Sequence, residues 1–299
     1  MKPPRTQPDM ENLRERAAVL VEALPYLRQF RGHTVVIKYG GAAMAEAGLR
    51  TQVLKDIVLL EHVGMRPVVV HGGGREITGM MRRLGKEPEF VDGLRVSDAE
   101  TVTIAQMALL GTTNPDLVAA IQQQGGQAIG LSGKDGGLVT ARKLVGPRDL
   151  GFVGEVAEVN ADLLSTLLTQ GLIPVLAPIA AGPANETFNI NADHFAARIA
   201  GALKASKLVL LTDVRGVLTD RTDPKTLISE LTALQAEEMI AAGKIASGMI
   251  PKVQACLDAL DQGVAQCHII DGRLPHAILM ELLTDYGIGT MVVRAEKGK

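Results

Sequence analysis

Tryptophan is absent from this 299-residue chain, and Phe and Tyr bring the aromatic share to only 3%. That is too little for the stacked rings on which single-stranded nucleic acid is held. Cysteine occurs twice, at Cys256 and Cys267; two residues build no disulfide framework, and their spacing matches no metal-ligand motif. In apolar surroundings they read as buried reduced thiols, which points to the cytoplasm. An excess of one charge is also missing. With 31 basic and 33 acidic residues the formal charge is −2, so neither nucleic acid nor an anionic membrane is attracted by the molecule as a whole. No apolar run approaches the roughly 20 residues that span a bilayer. The start, Met-Lys-Pro-Pro-Arg, has no apolar segment of the secretory kind, and Glu11, Glu15 and Glu22 argue against a transit peptide. What is present, 46% hydrophobic and 21% charged residues, is a globular composition with core for one or two domains.

From residue 34 onward, β-branched apolar runs alternate with amphipathic stretches. Thr34–Lys38, Arg66–His71, Gln127–Leu131, Leu172–Ala177, Lys207–Leu211 and Gln266–Ile270 read as strands. Their nearly unbroken apolar character is what a parallel sheet covered on both faces requires. Helical patterns lie between them over 49–64, 75–84, 97–124, 161–170, 191–204, 236–243 and 249–263. The alternation predicts an open α/β sheet with right-handed crossovers. Leu138–Arg142 with Gly151–Val159, and the segment Ile179–Ile190, read instead as hairpins that form a lid or add an edge. Ahead of the first strand, Leu13, Ala17, Leu20, Leu24 and Leu27 make one helix face, interrupted at Pro25. Two readings fit it: a helix packed on its own domain, or one exchanged with a neighbouring subunit. A boundary between two lobes falls near Ala205-Ser206, with the sheet running through both.

Ligands of open α/β sheets bind beyond the carboxyl ends of the strands. Two glycine-rich turns sit there, Gly40-Gly41-Ala42-Ala43 after the first strand and Gly72-Gly73-Gly74 after the second. Such turns bring backbone N–H groups and a helix N-terminus up to phosphate oxygens. Named phosphate motifs fail. Gly133-Lys134 is followed by Asp135 and has Ala128 where a Walker A loop needs its first glycine. Gly72 and Gly74 are followed by Ile77 where the dinucleotide fingerprint needs its third. Lys38 closes an apolar strand, where a lysine needs an anion. In Asn189-Ile190-Asn191-Ala192-Asp193, Asn191 serves as a helix cap and leaves Asn189 and Asp193 to be explained. Lys252 begins a helix whose dipole it opposes unless an anion binds. Arg95, on a turn, can clamp a carboxylate. Three cations and two backbone nests suit an anionic substrate.

Lys38-Tyr39-Gly40-Gly41, His71-Gly72-Gly73-Gly74, Val91–Ser97, Asn189–Asp193, Leu211–Gly216 and Gly248–Lys252 together resemble the motif series of the amino acid kinase family, from about residue 33 to the C-terminus. The resemblance implies an open, mainly parallel αβα sandwich with an extra N-terminal helix (1–32), an acyl-amino-acid lobe (33–205) and an ATP lobe (206–299). Order and spacing match the members that phosphorylate the γ-carboxylate of N-acetyl-L-glutamate with ATP, in arginine biosynthesis. It gives Lys38, Lys252 and Asp193 the catalytic roles. Gly73, Gly74, Arg95 and Asn189 would bind the acyl-amino acid. Gly40, Gly41, Thr212, Asp213, Gly216, Gly248 and Met249 would bind ATP, with Ser247 beside them. Because a γ-carboxylate of pKa about 4.3 is already ionised at pH 7, no general base is needed. Mg²⁺ would be held mainly by the ATP phosphates, with no cluster of carboxylates in the sequence to cage it. Arginine-inhibited members share the extra helix, which interlaces dimers into a hexamer, a trimer of dimers. In them an inhibitor site resembles Tyr26, His268, Glu281 and Gly287, within the run Tyr286–Thr290. The remaining alternatives are another kinase of the class, acting for example on an aminoadipate derivative, and a sensing module without catalysis. Lys38, Asp193 and Lys252 together argue against the sensor, and no residue speaks to a signalling-protein partner.

Overall fold

The structure is a computed structural model and describes residues 10–41, 44, 46–220, 223–245, 248–285 and 287–294. Its frame is an eight-stranded sheet in the order β12-β14-β13-β11-β1-β2-β8-β5. The six strands expected from apolar runs are β1 (Thr34–Tyr39), β2 (Arg66–His71), β5 (Ala128–Ser132), β8 (Ile173–Ala177), β11 (Lys207–Thr212) and β13 (Gln266–Asp271). All pair in parallel. Side chains alternate across a strand, and β1 shows the consequence. Val36 joins the core on one face with Phe195, Ile199 and Val253, while Val35, Ile37 and Tyr39 join the core on the other with Ile57, Leu117 and Ile278. Both faces are buried under helices, which is why the strands read as continuous apolar runs.

Two short strands of the main sheet escaped sequence reading: β12 (Glu230–Thr232), and β14 (Thr290–Val293), which runs antiparallel to β13. The hairpins neither extend the main sheet nor stand alone. β6 (Val139–Lys143), β7 (Val153–Val159), β9 (Ile179–Ala181) and β10 (Thr187–Ile190) close into a separate four-stranded sheet. The single helix expected over 97–124 is instead two α-helices, Ala99–Ala108 and Asn114–Gln123, joined by a π-helical turn at Leu109–Thr113. Pro115 explains the change: its ring excludes the regular ladder one turn earlier, and a wider turn absorbs the mismatch. Pro25 also acts as expected, lying in the first turn of a second helix (Leu24–Phe30) after the first, Met10–Glu22, has ended. On that first helix Met10, Ala17 and Val21 are exposed, as is Leu24 at the start of the second; the side chains of Leu13 and Leu20 lie outside the description. Cys256 and Cys267 are buried and free.

Candidate active site and a second cavity

Alternation along β1 places Lys38 on the same face as Val36, beneath the helix Ala192–Ala202. That helix is capped by Asn191, whose side-chain oxygen accepts the N–H groups of Asp193 (2.9 Å) and His194 (3.1 Å). Capping holds Asp193 in the first turn, directly over the strand end. Lys38 Nζ is 2.9 Å from Asp193 Oδ1. From the other side, the first turn of the helix Ile250–Asp261 sends Lys252, whose Nζ donates to Asp193 Oδ2 at 2.8 Å. Asp193 is 5% exposed. Burial alone would push its carboxyl up, but the two ammonium groups outweigh burial and hold it below the ordinary value. It is a fixed anion between two cations and no proton acceptor.

The two glycine turns meet beside this triad. A Cβ at Gly40 would lie 3.5 Å from Lys38 Nζ and 3.6 Å from the Gly72 backbone, ordinary contact distances that put the two turns side by side. Gly41 has a φ of 70°, a conformation costly for other residues. Gly73 caps the helix Gly74–Arg83, and a side chain there would overlap Leu109. These elements enclose a cleft of about 390 Å³ whose lining includes Lys38, Gly73, Gly74, Arg95, Asn189 and Asp193. Gly40 and Gly41 line it as well, and β7 and β10 wall it through Val153 and Ile190.

Arg95, expected on a turn, instead ends β4 (Leu94–Arg95), which pairs with β3 (Phe90–Val91) in a short hairpin, and is 7% exposed. Its guanidinium lies 4.7 Å above the Phe90 ring and donates to Gly74 O and Thr78 Oγ1, both at 2.9 Å. Burial draws its pKa down. Part of its donor set is therefore spent on the helix Gly74–Arg83, and a two-point clamp on a carboxylate would have to use the remainder. No carboxylate among the described residues pairs with it.

Of the residues expected to hold ATP, Gly40 and Gly41 line this cleft and the others do not. Thr212 ends β11, Asp213 and Gly216 follow it, and Gly248 and Met249 precede the helix that carries Lys252. The Thr212 hydroxyl is committed to the carbonyls of Val214 (2.7 Å) and Ile270 (3.2 Å), so it shapes the loop. Ser247, Tyr286, Ala42 and Ala43 lie outside the described residues.

A second cavity, of about 480 Å³, opens at the other end of β11 and β13 and brings together Tyr26, His268, Glu281 and Gly287. Glu281 is not on a helix surface; it is 7% exposed. Its Oε1 lies 2.7 Å from His268 Nδ1, and its Oε2 accepts Ile288 N–H at 2.7 Å. Burial would raise its pKa, but these donors bring it below the ordinary value. Tyr26 bonds Asp285 across the mouth. Sequence reading missed Lys207, the first residue of β11. It sits 4.8 Å from the Phe30 ring centre, donates to Gln266 Oε1 at 2.6 Å, and is pushed down to about 8 by burial, against the pull of Glu281. A lysine opening a strand ordinarily meets solvent; here Phe30 of the helix Leu24–Phe30 lies over the ammonium, with Gln266 and His268 beside it.

The sequence profile of the Amino acid kinase family matches residues 33–271. The chain belongs to the amino acid kinase family. Among curated members it is 56% identical, over 94% of its own length and 98% of the other, to the acetylglutamate kinase of Symbiobacterium thermophilum. With the acetylglutamate kinase of Synechocystis sp. it shares 53%, covering 95% of each. Among solved structures it superimposes on N-acetylglutamate synthase from Neisseria gonorrhoeae, complexed with coenzyme A and N-acetyl-glutamate, with a TM-score of 0.83 and 30% identity. That match covers 93% of this chain and 63% of the longer synthase chain. Carbamate kinase from Giardia lamblia, at a TM-score of 0.66 and 17% identity, shares the amino acid kinase fold.

Proposed function

We propose that this chain transfers the γ-phosphoryl group of ATP to the γ-carboxylate of N-acetyl-L-glutamate, giving N-acetyl-L-glutamyl 5-phosphate and ADP, a step of arginine biosynthesis carried out in the cytoplasm. The observation that carries the reading is the Lys38–Asp193–Lys252 arrangement at a cleft floored by two glycine turns. The names of the close relatives agree with it.

The chemistry follows from the charges. The nucleophile is a carboxylate of pKa about 4.3 and arrives ionised, so the site needs no base, and Asp193 is held too acidic to be one. What remains is to bring two anions together and to spread the charge of an in-line transfer. Lys38 would meet the phosphoryl group in flight, while Lys252 would meet the oxygen that departs with ADP. Asp193 sets the position of both ammonium groups. Gly41, Gly73 and Gly74 offer N–H groups to the transferred phosphate and the acceptor, and Arg95 and Asn189 hold the α-carboxylate side of the substrate. The loops of Thr212–Gly216 and Gly248–Met249 make the nucleotide side, so the acyl-amino acid occupies the 33–205 lobe and ATP the 206–299 lobe. Mg²⁺ enters with ATP. Among the described residues no group of three or more metal-ligating side chains is available to cage it, and an ion that keeps its waters and binds substrate phosphates needs none.

Regulation and assembly belong to the same proposal. The second cavity has carboxylates at Glu281 and Asp285 for a guanidinium and an ammonium at Lys207 for an α-carboxylate, the two ends of arginine, with Tyr26 at its edge. The exposed apolar residues of the Met10–Glu22 helix suit exchange between subunits in a hexamer.

The reading is tested by trapping acyl phosphate with hydroxylamine from Mg-ATP and N-acetyl-L-glutamate, with and without arginine. Product that arginine suppresses is the expected result. Product from a free amino acid or an aminoadipate derivative instead would move the enzyme to another substrate. Product that arginine leaves untouched would remove the inhibitor site.

A further inference from the structure

His71 ends β2 fully buried, on the opposite sheet face from Lys38 and Asp193. Its ring Nδ1 lies 2.7 Å from the Gly72 carbonyl oxygen; a carbonyl only accepts, so Nδ1 carries the proton. On the far side, Asn114 Nδ2 lies 3.1 Å from His71 Nε2 and 2.9 Å from the Val175 carbonyl. Since Val175 can only accept, that atom is the amide nitrogen and donates to both. Nε2 is therefore an acceptor without a proton, and the network allows one neutral tautomer. Room for the Asn114 carboxamide comes from Gly130, where a side chain would overlap it. The π-helical turn that ends at Thr113 brings Asn114 to this spot and Leu109 against Gly73.

The consequence is felt one peptide further on. The Gly72–Gly73 peptide is planar and trans, so its carbonyl and the Gly73 N–H point in opposite directions. With the Gly72 carbonyl held toward the interior by His71, the Gly73 N–H is turned the other way, toward the cleft. Gly72 N–H is itself fixed to Tyr39 O at 2.7 Å, and the Gly74 carbonyl to Arg95. The first N–H groups of the helix Gly74–Arg83 have no acceptor within the helix and stay available.

We propose that His71, backed by Asn114, is a positioning residue that aims the Gly73 N–H at the transferring phosphoryl group. The inference rests on the reading of the cleft given above. Burial pushes the imidazole down to about 4, so it stays neutral, and this tautomer persists, at the pH where a γ-carboxylate is ionised.

The test uses the full-length protein and three variants. His71→Phe fills the space without donating; His71→Asn presents an N–H near the position of Nδ1; Asn114→Ala leaves the ring free to change tautomer. The expected result for His71→Phe is a fall in kcat of about 100-fold, the scale of one misplaced donor to a developing charge, with KM for both substrates within about 3-fold. His71→Asn should recover most of kcat, and Asn114→Ala should fall between. In ¹⁵N-histidine spectra the native protein should show His71 protonated at Nδ1, and Asn114→Ala a mixture. An unchanged kcat in folded His71→Phe, a His71→Asn variant no better than His71→Phe, or a native ring protonated at Nε2 would each overturn the proposal. Should His71→Phe fail to fold, the other two variants and the spectra decide. A native enzyme that makes no acyl phosphate would sink the proposed reaction instead, and the spectra would still judge the geometry.

Discussion

Two ammonium groups share one carboxylate at the cleft, and each of the three residues breaks a local rule that a sequence reader can see. A lysine at the end of an apolar strand, a lysine in the first turn of a helix, and an acidic residue left over once the cap is assigned all ask for a partner. The partner proved to be one another. His71 and Lys207 broke no such rule, because a strand terminus is normally solvated, and only the covering helices make them buried. Replacing Asp193 with Asn should leave two buried cations without their anion. It should lower kcat by about 100-fold and cost about 3 kcal/mol or more of stability, read by steady-state kinetics and urea melts. His71 gives a pH prediction. Its folded value of about 4 lies below the ordinary 6.5, so the unfolded chain takes up a proton that the native state resists. The stability tied to it is full above pH 6.5 and is lost as pH falls toward 4, by about 3 kcal/mol at most. His71→Asn should therefore gain on the native protein between pH 7.5 and 5; an equal difference at both pH values would contradict a neutral buried ring.

Strands and glycine turns carry the site, and their legibility followed their exposure to one strong constraint. Continuous apolar runs marked β1, β2, β5, β8, β11 and β13 to within a residue or two, because a sheet buried on both faces tolerates little else. β12 and β14 are only 3 and 4 residues long and gave no comparable pattern. The π-helical turn was hidden inside good helical periodicity, although Pro115 was its signal. At this scale Arg95 joins two elements, holding the Gly74–Arg83 helix through Gly74 and Thr78 while facing the cleft. Arg95→Ala should raise KM for the acyl-amino acid by about 10-fold or more, and lower the melting temperature because the helix loses its buried donor. An unchanged KM with a lowered melting temperature would leave Arg95 as a helix anchor alone.

Across the whole molecule, one sheet connects two cavities. β11 begins at Lys207 in the second cavity and ends at Thr212 beside the loops proposed for ATP, a span of about 17 Å at strand rise. The second cavity was legible only through family resemblance; its composition, with Lys207, Phe30 and Asp285 added, became visible in three dimensions. Glu281→Ala should weaken inhibition by arginine about 10-fold or more, since a buried carboxylate is a strong partner for a guanidinium. Removing residues 1–22 while keeping Tyr26 and Phe30 should shrink the assembly by gel filtration. An unchanged size would leave that helix as local packing.

In the proposed reaction, charge neutralisation at Lys38 drives phosphoryl transfer to a carboxylate. The most direct measurement is the kcat of Lys38→Ala for hydroxylamine-trapped acyl phosphate from N-acetyl-L-glutamate, beside the KM for ATP. The expected result is a fall in kcat of about 100-fold or more with the KM for ATP little changed. A Lys38→Ala enzyme that retains its activity would contradict it.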